Sequence, residues 1–138
     1  MSPIHAYLTF DGNAAEAMRF YEKTLGGTMQ MMMTIGEAPD TGQMPDDVKK
    51  RIMHASLAYG DGMLMASDTM PGMTFVQGNN VWININCESD EEIERFFKAL
   101  GEGGTVMMPL ADQFWGAKFG MLKDRYSIHW MFNFEKPR

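Results

Sequence analysis

The chain has 138 residues, of which 45% are hydrophobic and 22% charged, with a net charge of −6. That length suits one domain with its own core, in the composition range of soluble globular proteins. The acidic balance and the scattered placement of the 12 basic residues argue against nucleic acid as a partner, because a phosphate backbone demands clustered Lys and Arg.

Residues Ile4 to Phe10 alternate. Ile4, Ala6, Leu8 and Phe10 form a core side, with His5, Tyr7 and Thr9 on a polar side. Asp11-Gly12-Asn13 is a turn, and Asn13 with Glu16 has the spacing of a helix cap and its reciprocal partner. Ala14, Met18, Tyr21 and Leu25 then share one helical face, and Gly26-Gly27 ends the helix. Thr28 to Ile35 reads as a methionine-rich strand and Gly36 to Asp47, with Pro39 and Pro45, as a long loop that is either functional or mobile. Lys49-Lys50-Arg51 is the sole basic run and reads as a solvated loop or helix end. Ile52 to Tyr59 and Met63 to Ser67 make a hairpin with a two-residue turn at Asp61-Gly62. That register puts His54, Ser56, Ala58, Met65 and Ser67 on a small polar face, and Met53, Leu57, Tyr59, Leu64 and Ala66 on the core face.

After a turn-rich linker the pattern repeats. Val81 to Cys87 is a strand with Trp82, Asn84 and Asn86 on one face and Ile83, Ile85 and Cys87 on the other. Cys87, the only cysteine, excludes an intrachain disulfide and a cysteine-based metal centre and reads as a small buried thiol. Ser89 and Glu92 repeat the capping spacing. Ile93, Phe96, Phe97 and Leu100 form the helical stripe, and Gly101 to Gly104 end it. Thr105 to Met108 is a short strand stopped by Pro109. The chain closes on a hairpin, Phe114 to Gly120 and His129 to Asn133, turned at Asp124 to Ser127. Strand, helix and three strands thus occur twice, at an offset near 77 residues if His5 is set against Trp82. The expected fold is α+β, with two tandem βαβββ modules in one domain: about 1–70, a linker at 71–80, and about 81–138.

Three stretches carry a resemblance. They are Tyr7-Leu8-Thr9-Phe10 with Gly12-Asn13-Ala14 and Phe20-Tyr21…Leu25-Gly26-Gly27; His54-Ala55…Leu64-Met65-Ala66-Ser67-Asp68; and Phe114-Trp115-Gly116…Phe119-Gly120…Asp124…Trp130-Met131. Together they resemble the PhnB-like subgroup of the vicinal oxygen chelate (glyoxalase, bleomycin resistance, dioxygenase) superfamily. The resemblance implies a curved sheet around a cleft and a homodimer. It departs at Ser127, where the subgroup often has Gly. Metal-dependent members carry four inward ligands, usually His and Glu, at positions that fall here on His5, Met65, Trp82 and Met131. Only the first of these suits a divalent ion, because thioether and indole are poor ligands for Zn, Ni, Mn or Mg. No metal and no cofactor are therefore expected.

The candidate ligand-binding residues are Tyr7, Met65, Ser67, Trp82, Asn84, Trp115 and Met131. Tyr7, Trp82 and Trp115 are able to stack on a flat or cationic ligand. Trp130, alternating with Ile128, Phe132 and Phe134, reads as core. The reading is a metal-free small-molecule-binding protein. The alternative is an enzyme using His5, His54 and His129, as acid/base groups or as a three-histidine zinc site if they converge. Asp68 is a potential orienter of His54, but the hairpin parity sends it to the opposite face. A methyltransferase is not supported, for no Gly-rich turn leads from a strand into a helix. A phosphonate ligand has no Arg or Lys on the predicted walls. No charged-then-apolar leader opens the chain and no apolar run approaches ~18 residues, so a cytoplasmic protein without a membrane partner is expected.

Overall fold

A computed structural model describes residues 1–137. They form two compact units, one over residues 1–76 and one from residue 77 onward. In the first, β1 (Ala6–Phe10), α1 (Ala14–Leu25), β2 (Thr28–Thr34), a 3-10 turn (Ile35–Glu37), α2 (Asp46–Lys49), β3 (Ile52–Tyr59) and β4 (Gly62–Asp68) follow in order. The second has β5 (Ile83–Asn86), α3 (Asp90–Gly101), β6 (Thr105–Asp112), β7 (Ala117–Lys123) and β8 (His129–Glu135). The sheets run β1-β4-β3-β2 and β5-β8-β7-β6. In each, the first strand lies parallel to the last and the other pairs are antiparallel. The fold is α+β, built of two βαβββ modules.

Helices α1 and α3 are amphipathic in the same way. Helix α1 buries Ala14, Ala17, Met18, Tyr21 and Leu25, and α3 buries Ile93, Phe96 and Leu100. They cover Leu57, Leu64 and Ala66 in one sheet and Leu122, Trp130 and Phe132 in the other, all at most 7% exposed. Each buried Leu, Ile or Phe contributes about 1.5–3 kcal/mol. Two glycines set the approach of helix end to sheet: a Cβ on Gly27 would sit 2.5 Å from the Ala58 carbonyl oxygen, and one on Gly104 would sit 2.2 Å from that of Lys123.

Several local expectations are corrected. Strand β1 starts at Ala6, so Ile4 is 97% exposed and His5 lies ahead of the sheet. Asn13 makes no side-chain cap. The α1 terminus is instead held by Asp68 of β4. Its Oδ1 accepts from the Gly12 and Ala14 amides at 2.8 and 3.0 Å, and its Oδ2 from the Ile52 amide at 2.8 Å. A distant carboxylate thus satisfies orphan helix donors that no local side chain reaches. Ser89 does cap α3, accepting from the Glu92 amide at 3.0 Å, while Glu92 reaches back to Glu88. The β3–β4 turn is Gly60-Asp61, because Tyr59 pairs with Gly62. Both turns conserve parity, so the expected faces survive. Met53 falls at a bulge between β2 and β3 and is exposed. Pro109 does not stop β6, which is an edge strand and bulges there, so no ladder bond is lost. Trp82 lies just ahead of β5. The stretch 36–47 is partly ordered by the 3-10 turn and by Thr41, which donates to the carbonyls of Gly36 and Ala38. Arg51 is not free in solvent: its guanidinium binds Asp11 and Thr69.

A second buried carboxylate, Asp124, organises the last hairpin. Its Oδ1 accepts from the Tyr126 and Ile128 amides at 2.7 and 3.1 Å, and its Oδ2 from the Trp130 indole at 2.8 Å. The turn it holds forces Ser127 to φ 68°, the left-handed region that favours glycine.

Asp68→Ala is expected to cost about 2–3 kcal/mol and Asn13→Ala under about 0.5 kcal/mol in urea unfolding, because only the former strands buried amides. An equal cost would move the cap back to Asn13. In the same assay Ser127→Gly is expected to gain about 0.5–1 kcal/mol by relieving the left-handed strain, while Asp124→Ala loses about 3 kcal/mol.

Candidate functional site

A helix covers one face of each sheet. Strand parity and register give the residues of the other face. On the first sheet one row across the strands is Tyr7, Met65, Ser56 and Met31, and beside it lie Thr9, Ser67, His54 and Met33. Tyr7 is 48% exposed, and its hydroxyl lies 3.2 Å from His54 Nδ1. The predicted residues Tyr7, Met65, Ser67 and His54 therefore share one face, while His5, outside the strand, is exposed. Asp68 does not orient His54; its oxygens are taken by three backbone amides.

On the second sheet the central row is Asn84, Met131, Met121 and Met108, flanked by Asn86, Asn133, Phe119 and Ala111. Asn84 donates to Asn86 at 2.9 Å, which leaves the pair's remaining amide positions open to a ligand. Trp115, 52% exposed on the β6–β7 turn, packs edge-on against Phe119 with ring centroids 6.3 Å apart. Trp82 packs edge-on against His129 at 4.7 Å. This face therefore gathers Asn84, Met131, Trp82 and His129. It also holds Phe119, Asn86 and Asn133, which sequence reasoning did not select. Period-two alternation was the signal for Phe119 and Asn133, but it needed the register of the closing hairpin, which spacing alone does not supply. Trp130 is core, as its alternation predicts, at 1% exposed.

The donor chemistry at the positions matching the superfamily's metal ligands does not fit a divalent ion. Met65 and Met131 offer thioethers and Trp82 an indole, and His5 lies ahead of β1. Among the described residues no three His, Cys, Asp or Glu side chains gather in a group able to hold a metal. No helix among them is long and apolar enough to cross a membrane.

Cys87 borders a cavity of about 350 Å³ with Asn86, Glu88 and Asn133 and is itself buried. Burial, and secondarily the Glu92 carboxylate, push its thiol up to about 12, against a smaller opposing effect of Arg95. The thiolate fraction near neutrality is then negligible. A colorimetric disulfide reagent at pH 8 is expected to leave the native thiol unreacted over minutes and to titrate it fully in urea. Fast native labelling would place the thiol in solvent.

A model for the family described as 3-demethylubiquinone-9 3-methyltransferase matches residues 2–132. Protein PA1353 of Pseudomonas aeruginosa superposes with a TM-score of 0.90 at 43% identity, covering 99% of this chain and all of that one. The putative 3-demethylubiquinone-9 3-methyltransferase PhnB protein of Bacillus cereus gives a TM-score of 0.72 at 26% identity over 96% and 99%. A glyoxylase/bleomycin resistance protein/dioxygenase domain from Frankia sp. EAN1pec shares the fold, with a TM-score of 0.68 at 14% identity over 99% of both chains. The match over residues 2–132 shows that the chain belongs to the family described as 3-demethylubiquinone-9 3-methyltransferase, and it shares the doubled βαβββ fold of the Frankia domain.

Proposed function

We propose that the protein is a metal-free binder of a small organic molecule. The open face of the second sheet is the binding floor; Tyr7, Met65 and Ser67 are candidate contact residues on the open face of the first sheet, taken by itself. The observation that carries this reading is the juxtaposition of an aromatic pair, Trp115 and Phe119, with an amide and thioether surface of Asn84, Asn86, Met121 and Met131. Rings offer a stacking platform to a flat ligand, Met adapts to its outline, and Asn reads its polar edge. The homodimer and the cytoplasmic location implied earlier belong to the same proposal; size-exclusion chromatography with light scattering tests the former.

The neutral dye N-phenyl-1-naphthylamine is expected to gain fluorescence saturably on the metal-stripped protein. Trp115→Ala should weaken it at least about fivefold without changing the melting temperature, since a half-exposed ring contributes little to folding. Zn, Ni and Mn are expected to leave that temperature unchanged, because a ligand of the folded state raises it by mass action. A saturable shift with one ion, lost in His5→Ala, would overturn the metal-free reading.

One observation favours a second reading, a histidine acid/base enzyme. The hydroxyl of Tyr7 and Nδ1 of His54 lie in hydrogen-bond reach on an accessible face. In that case any turnover found in a substrate screen is lost in both Tyr7→Phe and His54→Gln with folding intact. Turnover that survives both removes the pair from the chemistry.

A further inference from the structure

The second unit holds a cavity of about 420 Å³ lined by Gln77, Gly78, Asn79, Met107, Lys123 and His129. Lys123 of β7 and His129 of β8 are register partners, so both side chains project from the same side of the sheet. The opposite wall is the segment 77–79. Gln77 fastens it by donating through Nε2 to the Ser127 carbonyl at 2.8 Å.

Three observations point to an occupant. First, His129 is only 7% exposed, yet its ring nitrogens make no hydrogen bond with any described residue. Among the described residues no fully enclosed polar side-chain atom lacks a partner, so those nitrogens are not sealed off, and His129 lines the cavity. Second, the Lys123 ammonium takes part in none of the ion pairs among the described residues. Third, no lining residue is acidic, in a chain whose net charge is −6. The neighbouring Asp124 does not line the cavity; its oxygens accept from the Tyr126 and Ile128 amides and the Trp130 indole. A cation and an imidazole facing one space offer donors to an acidic group.

We infer that this cavity binds the acidic group, carboxylate or phosphoryl, of the small molecule held on the second sheet. Lys123 supplies the charge and His129 a ring N–H donor. Met107 lines the same cavity, and the Trp82 ring packs edge-on against His129. The inference rests on the binding reading above and specifies its ligand: His129 and Met131 are two residues apart on β8, a step of about 7 Å, so an acidic head at His129 places the attached skeleton along Met131 and Asn84. The predicted walls of the sequence reading held no Lys or Arg; Lys123 enters through the β7–β8 register.

The test follows the His129 and His54 ring resonances by NMR at constant pH and ionic strength. Inorganic phosphate is expected to shift His129 saturably and leave His54 in place, and Lys123→Met, with an unchanged spectrum elsewhere, abolishes the response. 2-Naphthoate is expected to bind at least about tenfold tighter than its neutral counterpart 2-naphthamide, and the preference disappears in Lys123→Met. A His129 resonance unmoved by phosphate, or equal affinities for the two naphthalenes, overturns the acidic-group assignment. Neither result touches the binding reading, which the uncharged dye decides separately.

Discussion

The pairing of the first strand of each module parallel to its last is the constraint from which the rest follows. Parallel neighbours cannot be joined by a tight turn, so the chain must leave β1 or β5 through a crossover, and the helix supplies it. That helix covers one face of its sheet: α1 in the first module, α3 in the second. The other face of each sheet is left to whatever side chains the alternation sends there. These are thioethers, amides, hydroxyls, imidazoles and a few rings, rather than a continuous aliphatic surface.

Two buried aspartates stabilise this arrangement at different points. Asp68 joins the end of β4 to the start of α1 and the start of β3, so a single carboxylate satisfies backbone donors from three segments. Asp124 joins a turn to the indole of the largest core residue of its unit. Each is a small hydrogen-bonded network in a low-dielectric setting, where unmade bonds are costly and made ones fix one conformation. The modules repeat in topology, yet these devices do not repeat. Helix α3 takes its cap from Ser89, one residue away, whereas α1 takes its cap from 54 residues away.

Chemically, the positions of Met65 and Met131 carry thioethers, which are poor ligands for a divalent ion. Met65 and Met131 occupy corresponding places on β4 and β8, each the register partner of a first-strand residue, Tyr7 or Asn84. Soft, adaptable side chains at these central positions suit shape matching rather than Lewis-acid chemistry. At one end of the second face Trp82, His129 and Lys123 form a row.

The duplicated βαβββ order, the helical stripes, the burial of Trp130 and, apart from Met53 at its bulge, the faces of the β3–β4 hairpin were legible in the residues. They depend on local periodicity, and even a shifted turn left the parity intact. The start of β1 was misplaced because Ile4 and His5 continue the alternation, although the pairing with β4 begins only at Ala6 opposite Leu64. Pro109 looked like a stop because sequence does not reveal that its strand is an edge. What only the tertiary structure decided were the long-range meetings: Asp68 with the α1 terminus, Tyr7 with His54, and Lys123 with His129 over one cavity. Periodicity assigns a side chain to a face. Which side chains on that face become neighbours depends on strand order and register, and these are set by the packing of segments far apart in the chain.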